Sequence, residues 1–461
     1  MTSEKRNVTP ADLNSPTSER ARATTSELIS LPRSVGFLGS TAIVVGTIIG
    51  SGVFLVPHNV ALHVGSVPIF FLVWIVGGAL SLAGALSLAE LGAAIPEAGG
   101  VYVYLREAYG KPFAFLYGWG MLLVIHSGSA ATLAVAFGIY LSSLVPLTPL
   151  EQKIAASLVI AMVTLVNILG VRRGTAVQTF FTVAKLAGLV VIMGFALFAH
   201  GVAPASGPLP TPHSTLTSFG VALIGVLWAY EGWHMLSYTA GEVKNPSRVL
   251  PRSYLLGTLT VVLAYVLANV AYLRVLPLGA LATYQRVAAE AMQRLGGNWG
   301  SAFVSGLILC SIFGALNGTI MTGPRAYFAM ARDGVFFDFA GRVDPRYMTP
   351  ALAILLQGAW SIVLAASGTY EQLYTYVIFT GWLFYAAAVA AVIILRRRKP
   401  GLERPYKVWG YPALPIAFTL AALLIVTNTL ISKPRESAIG IAFVLTGIPV
   451  FLLWKRSARP R

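Results

Sequence analysis

The sequence predicts an all-α membrane protein of twelve transmembrane helices, on three observations. Apolar runs of about twenty residues, long enough to cross a roughly 30 Å hydrocarbon layer, recur along almost all of the 461-residue chain. Only 11% of residues are charged and mean hydropathy is +0.73, whereas soluble domains are about 25% charged. Lys and Arg, which resist translocation, gather in alternate loops.

Residues 1–33, rich in Ser, Thr, Pro and charge, read as a disordered tail, not a signal peptide: the first apolar stretch is too long and lacks a small-residue cleavage pattern. The spans are placed at 36–62, 67–95, 113–144, 154–170, 177–199, 216–239, 254–276, 302–323, 350–367, 370–395, 412–431 and 438–454. With a cytoplasmic N-terminus, inner segments hold 26 of the Lys and Arg residues and outer loops five, while Lys185 and Arg274 fall within spans. Both termini are therefore expected in the cytoplasm. The net charge of +16 is then a topology signal, and a nucleic-acid partner is not expected. The single cysteine, Cys310, excludes an intramolecular disulfide. The six histidines show no metal-ligand spacing and there is no phosphate loop. No metal, cofactor or enzymatic chemistry is expected.

Two spans look interrupted. The first holds Gly46-Thr47-Ile48-Ile49-Gly50-Ser51-Gly52-Val53-Phe54; its three glycines would cost about 3 kcal/mol against Ala in an unbroken helix. The sixth holds Trp228-Ala229-Tyr230-Glu231-Gly232-Trp233, a carboxylate and a glycine at mid-membrane. Irregular backbone at that depth must be packed in protein or line a cavity. Interruptions at matching places in two halves point to an inverted repeat with its site at the breaks. The halves would be 34–200 (spans 1–5) and 214–398 (spans 6–10), with 399–461 holding peripheral spans 11 and 12 and a tail. Taken alone, Gly50 and Gly52 fit a small-residue packing seam equally well; the second break turns the reading towards a site.

Such a site suits a zwitterion. N–H groups of Ser51, Gly52 and Val53, at the positive end of a half-helix, would hold a carboxylate. Carbonyls near Thr47 and Ile48, and of Trp228 and Ala229, would face an ammonium. Glycine at 50 and 52 would let the ligand approach the backbone.

These residues resemble the amino acid–polyamine–organocation superfamily, within it the L-type amino acid transporter branch. The first-helix stretch above carries the likeness. So do Ala89-Glu90-Leu91-Gly92 through Pro96-Glu97-Ala98-Gly99-Gly100-Val101-Tyr102, Ala229 to Trp233 with Gly241-Glu242-Val243-Lys244-Asn245-Pro246, and Arg396 to Val408. The resemblance implies a LeuT-type 5+5 inverted repeat with helices 1 and 6 broken, alternating access, and exchange or uniport of amino acids without sodium; the expected function is exchange of neutral L-amino acids across a cell (inner) membrane. By matching position, Gly50, Ser51 and Gly52 would bind the carboxylate, and Trp228 would close over the ligand. Val124, Ile125 and Ser129 would line the side-chain pocket, with Val377 and Phe379 close by and Asn317 as a polar wall.

The chain departs from that pattern twice. Glu231 stands where many relatives have a small residue and some that accept cationic substrates have an acid. The loop 145–153 lacks the cysteine that joins animal members to a heavy chain, so no disulfide-linked partner is expected; the oligomeric state stays open.

Lys185, about nine residues into its span, is either a snorkelling side chain or, as in related transporters, a fixed cation where others hold sodium. Glu231 reads as a substrate or proton site, or as an acceptor for freed N–H groups. His126 is a proton relay or a hydrogen-bonded packing residue. Glu90, Glu242, Arg325 and Arg332 would form an inner gate or simply sit as helix-end charges. The segment 96–109 suits a short interfacial helix. Besides the exchanger, two readings remain: a proton-coupled importer of cationic amino acids or polyamines using Glu231, and a membrane amino-acid sensor, which would want an appended signalling domain.

Overall fold

Backbone groups in hydrocarbon must be satisfied within their own segment, and the computed structural model meets that demand with helices. It describes residues 33–198 and 215–457; the tail expected over 1–33 lies, except for Arg33, outside them. Among the described residues ten helices are long and apolar enough to cross a membrane, and two shorter apolar helices, Thr217–Ala229 and Ala351–Ser367, accompany them. The one β-type pairing among the described residues is an isolated bridge between Val35 and Val243.

The chain opens with α1 (Phe37–Ile48) and α2 (Gly52–His63), two halves of one interrupted rod. Then come α3 (Val67–Ala94) and the short α4 (Val101–Tyr109). The third rod is α5 (Lys111–Gly120), a π-helical turn over Met121–Ile125, and α6 (His126–Leu141). Next are α7 (Pro149–Ile168) and α8 (Val171–Phe198). α9 (Thr215–Ala229) stops at mid-length and continues as irregular chain into a 3-10 helix, Met235–Glu242. α10 (Pro246–Val275), α11 (Val287–Thr322), α12 (Pro324–Arg332), α13 (Ala351–Ser367) and α14 (Tyr370–Arg398) follow. α15 (Ala413–Ser432), α16 (Pro434–Leu445) and α17 (Gly447–Ser457) complete the chain.

Starts and stops follow local chemistry. Capping boxes open α7 (Thr148 with Glu151) and α14 (Thr369 with Gln372), and proline in the first turn opens α3, α5, α10, α12 and α16. Arg396, Arg397 and Arg398 end α14, where cations suit the helix dipole. Two helices begin earlier than hydropathy indicates. α10 gains two polar turns because Asn245, left-handed at φ 47°, hands the chain to Pro246. α11 starts at Val287, with an amphipathic stretch joined to the apolar one through a kink at Gly297 (φ 61°).

Helices α1, α2, α3, α9 and α10 form one packed group, and α6, α7, α11 and α13 a second; α8 packs on α11 and α1, and α14 on α6. The first rod is the core, 89% of its apolar window buried, and the last is the rim, 22% buried. Large apolar side chains such as Leu158, Leu424, Ile431 and Leu453 point outward; a face of that extent suits lipid.

The polar end carries ion pairs. Arg325 and Glu242, both fully buried, meet at 2.8 Å. Glu90 accepts from Arg396 at 2.8 and 2.6 Å and from the Val408 N–H at 2.7 Å. Arg106 bonds Asp333 at 3.0 Å and Glu97 at 2.9 Å. Burial pushes the Glu107 carboxyl up, but Lys399 and Arg106 outweigh it and hold the group below the usual carboxylate range. Arg332 lies over the Phe328 ring at 5.7 Å.

Arg325→Met should destabilise the protein by about 3–5 kcal/mol, because it strands a buried carboxylate. Thermal melting of the detergent-solubilised protein would show it, with much of the loss recovered on adding Glu242→Leu. An unshifted melt for Arg325→Met alone would contradict this account of the pair.

Candidate functional site

The two interruptions lie against each other. A Cβ on Gly52 would stand 2.4 Å from the Ala229 Cα, and one on Gly232 (φ +114°) 2.9 Å from the Thr47 carbonyl carbon. Gly52 therefore serves contact between the breaks, where ligand approach was expected. At Gly50 a Cβ would meet Leu133 at 2.9 Å and Ala315 at 3.2 Å.

Most carbonyls freed by the breaks already have donors. Lys185 Nζ donates to Gly46 O (2.9 Å), Ile49 O (2.5 Å) and Ser311 O (2.9 Å). Ser311 Oγ reaches Ile49 O and Gly50 O at 3.3 and 3.2 Å. The single Tyr265 O–H proton is shared between Ile48 O (3.0 Å) and Ala229 O (2.9 Å), and Trp228 O accepts the Glu231 N–H at 3.0 Å. The carbonyls of Ile48, Trp228 and Ala229, expected to face an ammonium, are thus committed inside the protein. The N–H groups differ: among the described residues, those of Gly50, Ser51, Gly52 and Val53 have no hydrogen-bond partner.

Three of those four residues, Gly50, Ser51 and Gly52, line a cavity of about 20 Å³ together with Thr47, Ile48, Ser129, Leu133, Trp228, Glu231, Met235 and Thr319. That is room for about one water molecule, so an amino acid would enter only with the walls parted. The Thr47 hydroxyl is engaged by Ile43 O and Gly232 O. Glu231 Oε1 accepts from Tyr385 OH at 2.8 Å, and Tyr385 OH bonds His234 Nε2 at 3.0 Å. Glu231 Oε2 is buried without a partner. The ring partner of Glu231 is His234, 3.7 Å away; among the described residues no Lys or Arg pairs with it.

Eight of the expected site residues share this wall: Thr47, Ile48, Gly50, Ser51, Gly52, Ser129, Trp228 and Glu231. Lys185 stands behind it. Val53, Val124, Ile125, Ala229, Asn317, Val377 and Phe379 are not on it, for identifiable reasons. Asn317 turns to Asn167 (2.9 Å), Gly174 O (3.1 Å) and Gln178 (3.0 Å). Thr319, two residues and about 200° round the same helix, takes the wall. The π turn at Met121–Ile125 offsets Val124 and Ile125 from Ser129, and Val124 borders a separate groove with Leu373 and Phe443. Val377 packs behind Gly128, and Phe379 faces Gly440. Leu133 was missed although it follows Ser129 by one helical turn; Met235 and the tyrosines Tyr265, Tyr370 and Tyr385 had no sequence signal. His126 is buried, its ring against His234 and Tyr238.

A bundle of apolar helices with two abutting breaks, and with residues of free N–H and a carboxyl lining one cavity, fits a membrane carrier for a small polar solute. A family model described as amino acid permease matches residues 35–454. The chain belongs to this amino acid permease family, in the L-type branch of the amino acid–polyamine–organocation superfamily. It is 34% identical over 429 residues to the serine/threonine exchanger of Bacillus subtilis, covering 92% of this chain and 98% of that one. To the b(0,+)-type amino acid transporter 1 of mouse it is 33% identical, covering 92% and 88%, and to the human cystine/glutamate transporter 32%, covering 94% and 88%.

Gly52→Ala should press a methyl into the Ala229 backbone and part the breaks, abolishing ligand binding and lowering the melting temperature. Gly306, with no atom within 4 Å of an added Cβ, is the control: Gly306→Ala should leave both unchanged or raise stability slightly. Equal behaviour of the two variants would refute the close approach as a requirement.

Proposed function

We propose that the protein exchanges neutral L-amino acids across a cell (inner) membrane by alternating access, without sodium. One observation carries the reading: Ser51 and Gly52, whose N–H groups are unpaired, and Glu231, whose Oε2 is unpaired, line one cavity, as the carboxylate and ammonium of an amino acid require. Relatives named as a serine/threonine exchanger and an amino acid transporter support it.

In this reading the chain has twelve spans, the broken rods counting once each, with both termini cytoplasmic. Spans 1–5 and 6–10 are inverted repeats, which the packing supports. Contacts of α10 with α1 and of α9 with α3 are counterparts under 1↔6 and 2↔7, as are those of α8 with α11 and of α14 with α6 under 5↔10 and 8↔3. Lys185, bonded to three carbonyls at the first break and on α11, supplies the charge that a sodium ion would otherwise bring. No disulfide-linked heavy chain takes part. The substrate brings α2 and α9 together around itself, shifting a population between states and changing no bond.

A second reading rests on Glu231: a buried carboxylate without a cation favours a cationic substrate or a carried proton. Liposomes holding the purified protein separate the two. Uptake of labelled alanine or serine should require unlabelled amino acid inside and be indifferent to sodium and pH gradients. Glu231→Gln should raise the KM for neutral substrates roughly tenfold, the scale of one hydrogen bond to a charge. Uptake into empty liposomes that needs an acidic exterior, or loss of arginine competition alone on Glu231→Gln, would establish the second reading.

A further inference from the structure

Tyr370 is half-buried in the first turn of α14 and touches both broken rods with one oxygen. Its OH lies 3.1 Å from Ser51 Oγ and accepts from Trp228 Nε1 at 2.9 Å. Ser51 is the residue that opens α2, and Trp228 the next-to-last residue of α9; both line the cavity. Tyr370 is fixed from outside the site. The Thr369–Gln372 capping box sets its helical turn, and Glu371 beside it pairs with Lys433 at 3.0 Å. Tyr374, one turn on, stacks on Trp228 (6.1 Å, 19°).

The direction of these bonds follows from the donors. An indole N–H only donates, so the Tyr370 oxygen accepts from Trp228; the Ser51 pair can run either way, and Ser51 Oγ is the one acceptor that the Tyr370 proton meets among the described residues. Ser51 makes no capping bond to its helix, and among the described residues its hydroxyl has no other partner. Its proton is therefore free to point into the cavity, beside the unpaired N–H groups of Ser51, Gly52 and Val53. We propose that Tyr370 is a positioning residue of the substrate site, which aims the Ser51 hydroxyl at the substrate carboxylate and pins Trp228 over it. The chain Trp228 N–H, Tyr370 O–H, Ser51 O–H then ends on the carboxylate, all donors running one way, and each bond strengthens the next. The role belongs to a residue on α14, outside the first-rod stretch that carries the other carboxylate donors.

This inference rests on the transport reading, and the wild-type protein tests that reading first: liposomes that exchange no amino acid would end the transport reading before any variant is measured. Given exchange, KM and maximal rate are measured for Tyr370→Phe, Ser51→Ala and the double variant, with the fastest of alanine, serine and leucine as substrate. Tyr370→Phe should raise KM roughly tenfold, the scale of one charge-assisted hydrogen bond, while maximal rate and melting temperature change little. Ser51→Ala should do the same, and the double variant should be no worse than Ser51→Ala, because the two act in series. Inhibition by the carboxamide of the same amino acid, which lacks the carboxylate, should not respond to Tyr370→Phe. Multiplying effects in the double variant, an unchanged KM in Tyr370→Phe, or a carboxamide weakened as much as the acid would overturn the proposal.

Discussion

The structure turns on how two helices can break in a medium without water. Each break releases N–H and C=O groups whose burial without partners would cost several kcal/mol apiece. The protein answers unequally. Lys185 from α8, Ser311 from α11 and Tyr265 from α10 cover carbonyls of the first break, and Tyr265 reaches Ala229 of the second as well. The N–H groups at Gly50 to Val53 are left over, as are those of Gly232, Trp233 and His234 at the second break. The imbalance gives the cavity an anion-receptive wall, and it explains why a lysine, a serine and a tyrosine from three other helices stand around one glycine-rich stretch.

The same cavity is lined by a single acid. Glu231 gives one oxygen to Tyr385 and leaves the other unpaired, in a space of about 20 Å³ that Ser51 and Gly52 also line. Gly52 and Gly232 let the two breaks touch, so the cavity is closed down at the point where the broken rods meet. The packing places α1, α2, α3, α9 and α10 in one group and α6, α7, α11 and α13 in another, so the division between the groups runs past the cavity, with Ser129, Leu133 and Thr319 on the second side.

Much of this was legible in the sequence because the signals were local. Runs of apolar residues, glycines clustered in a membrane segment and a carboxylate at mid-span each state a physical cost that only a few structures meet. The residues that went astray needed rotation or partnership to place. Asn317 and Thr319 differ by about 200° on one helix, and no pattern says which face meets the cavity. The π turn at Met121–Ile125 shifted Val124 and Ile125 without a breaker to announce it. Ile48 and Ala229 have carbonyls that Tyr265, 217 residues from one and 36 from the other, engages, and no local pattern announces that partner.

The most direct test of the account is a high-resolution structure of the protein in lipid nanodiscs with a bound amino acid. The carboxylate should lie within hydrogen-bond distance of the Ser51, Gly52 and Val53 N–H groups, with the ammonium turned to Glu231 Oε2. A ligand whose carboxylate lies elsewhere, with those N–H groups still unpartnered, would contradict the claim that the unequal satisfaction of the breaks makes the site.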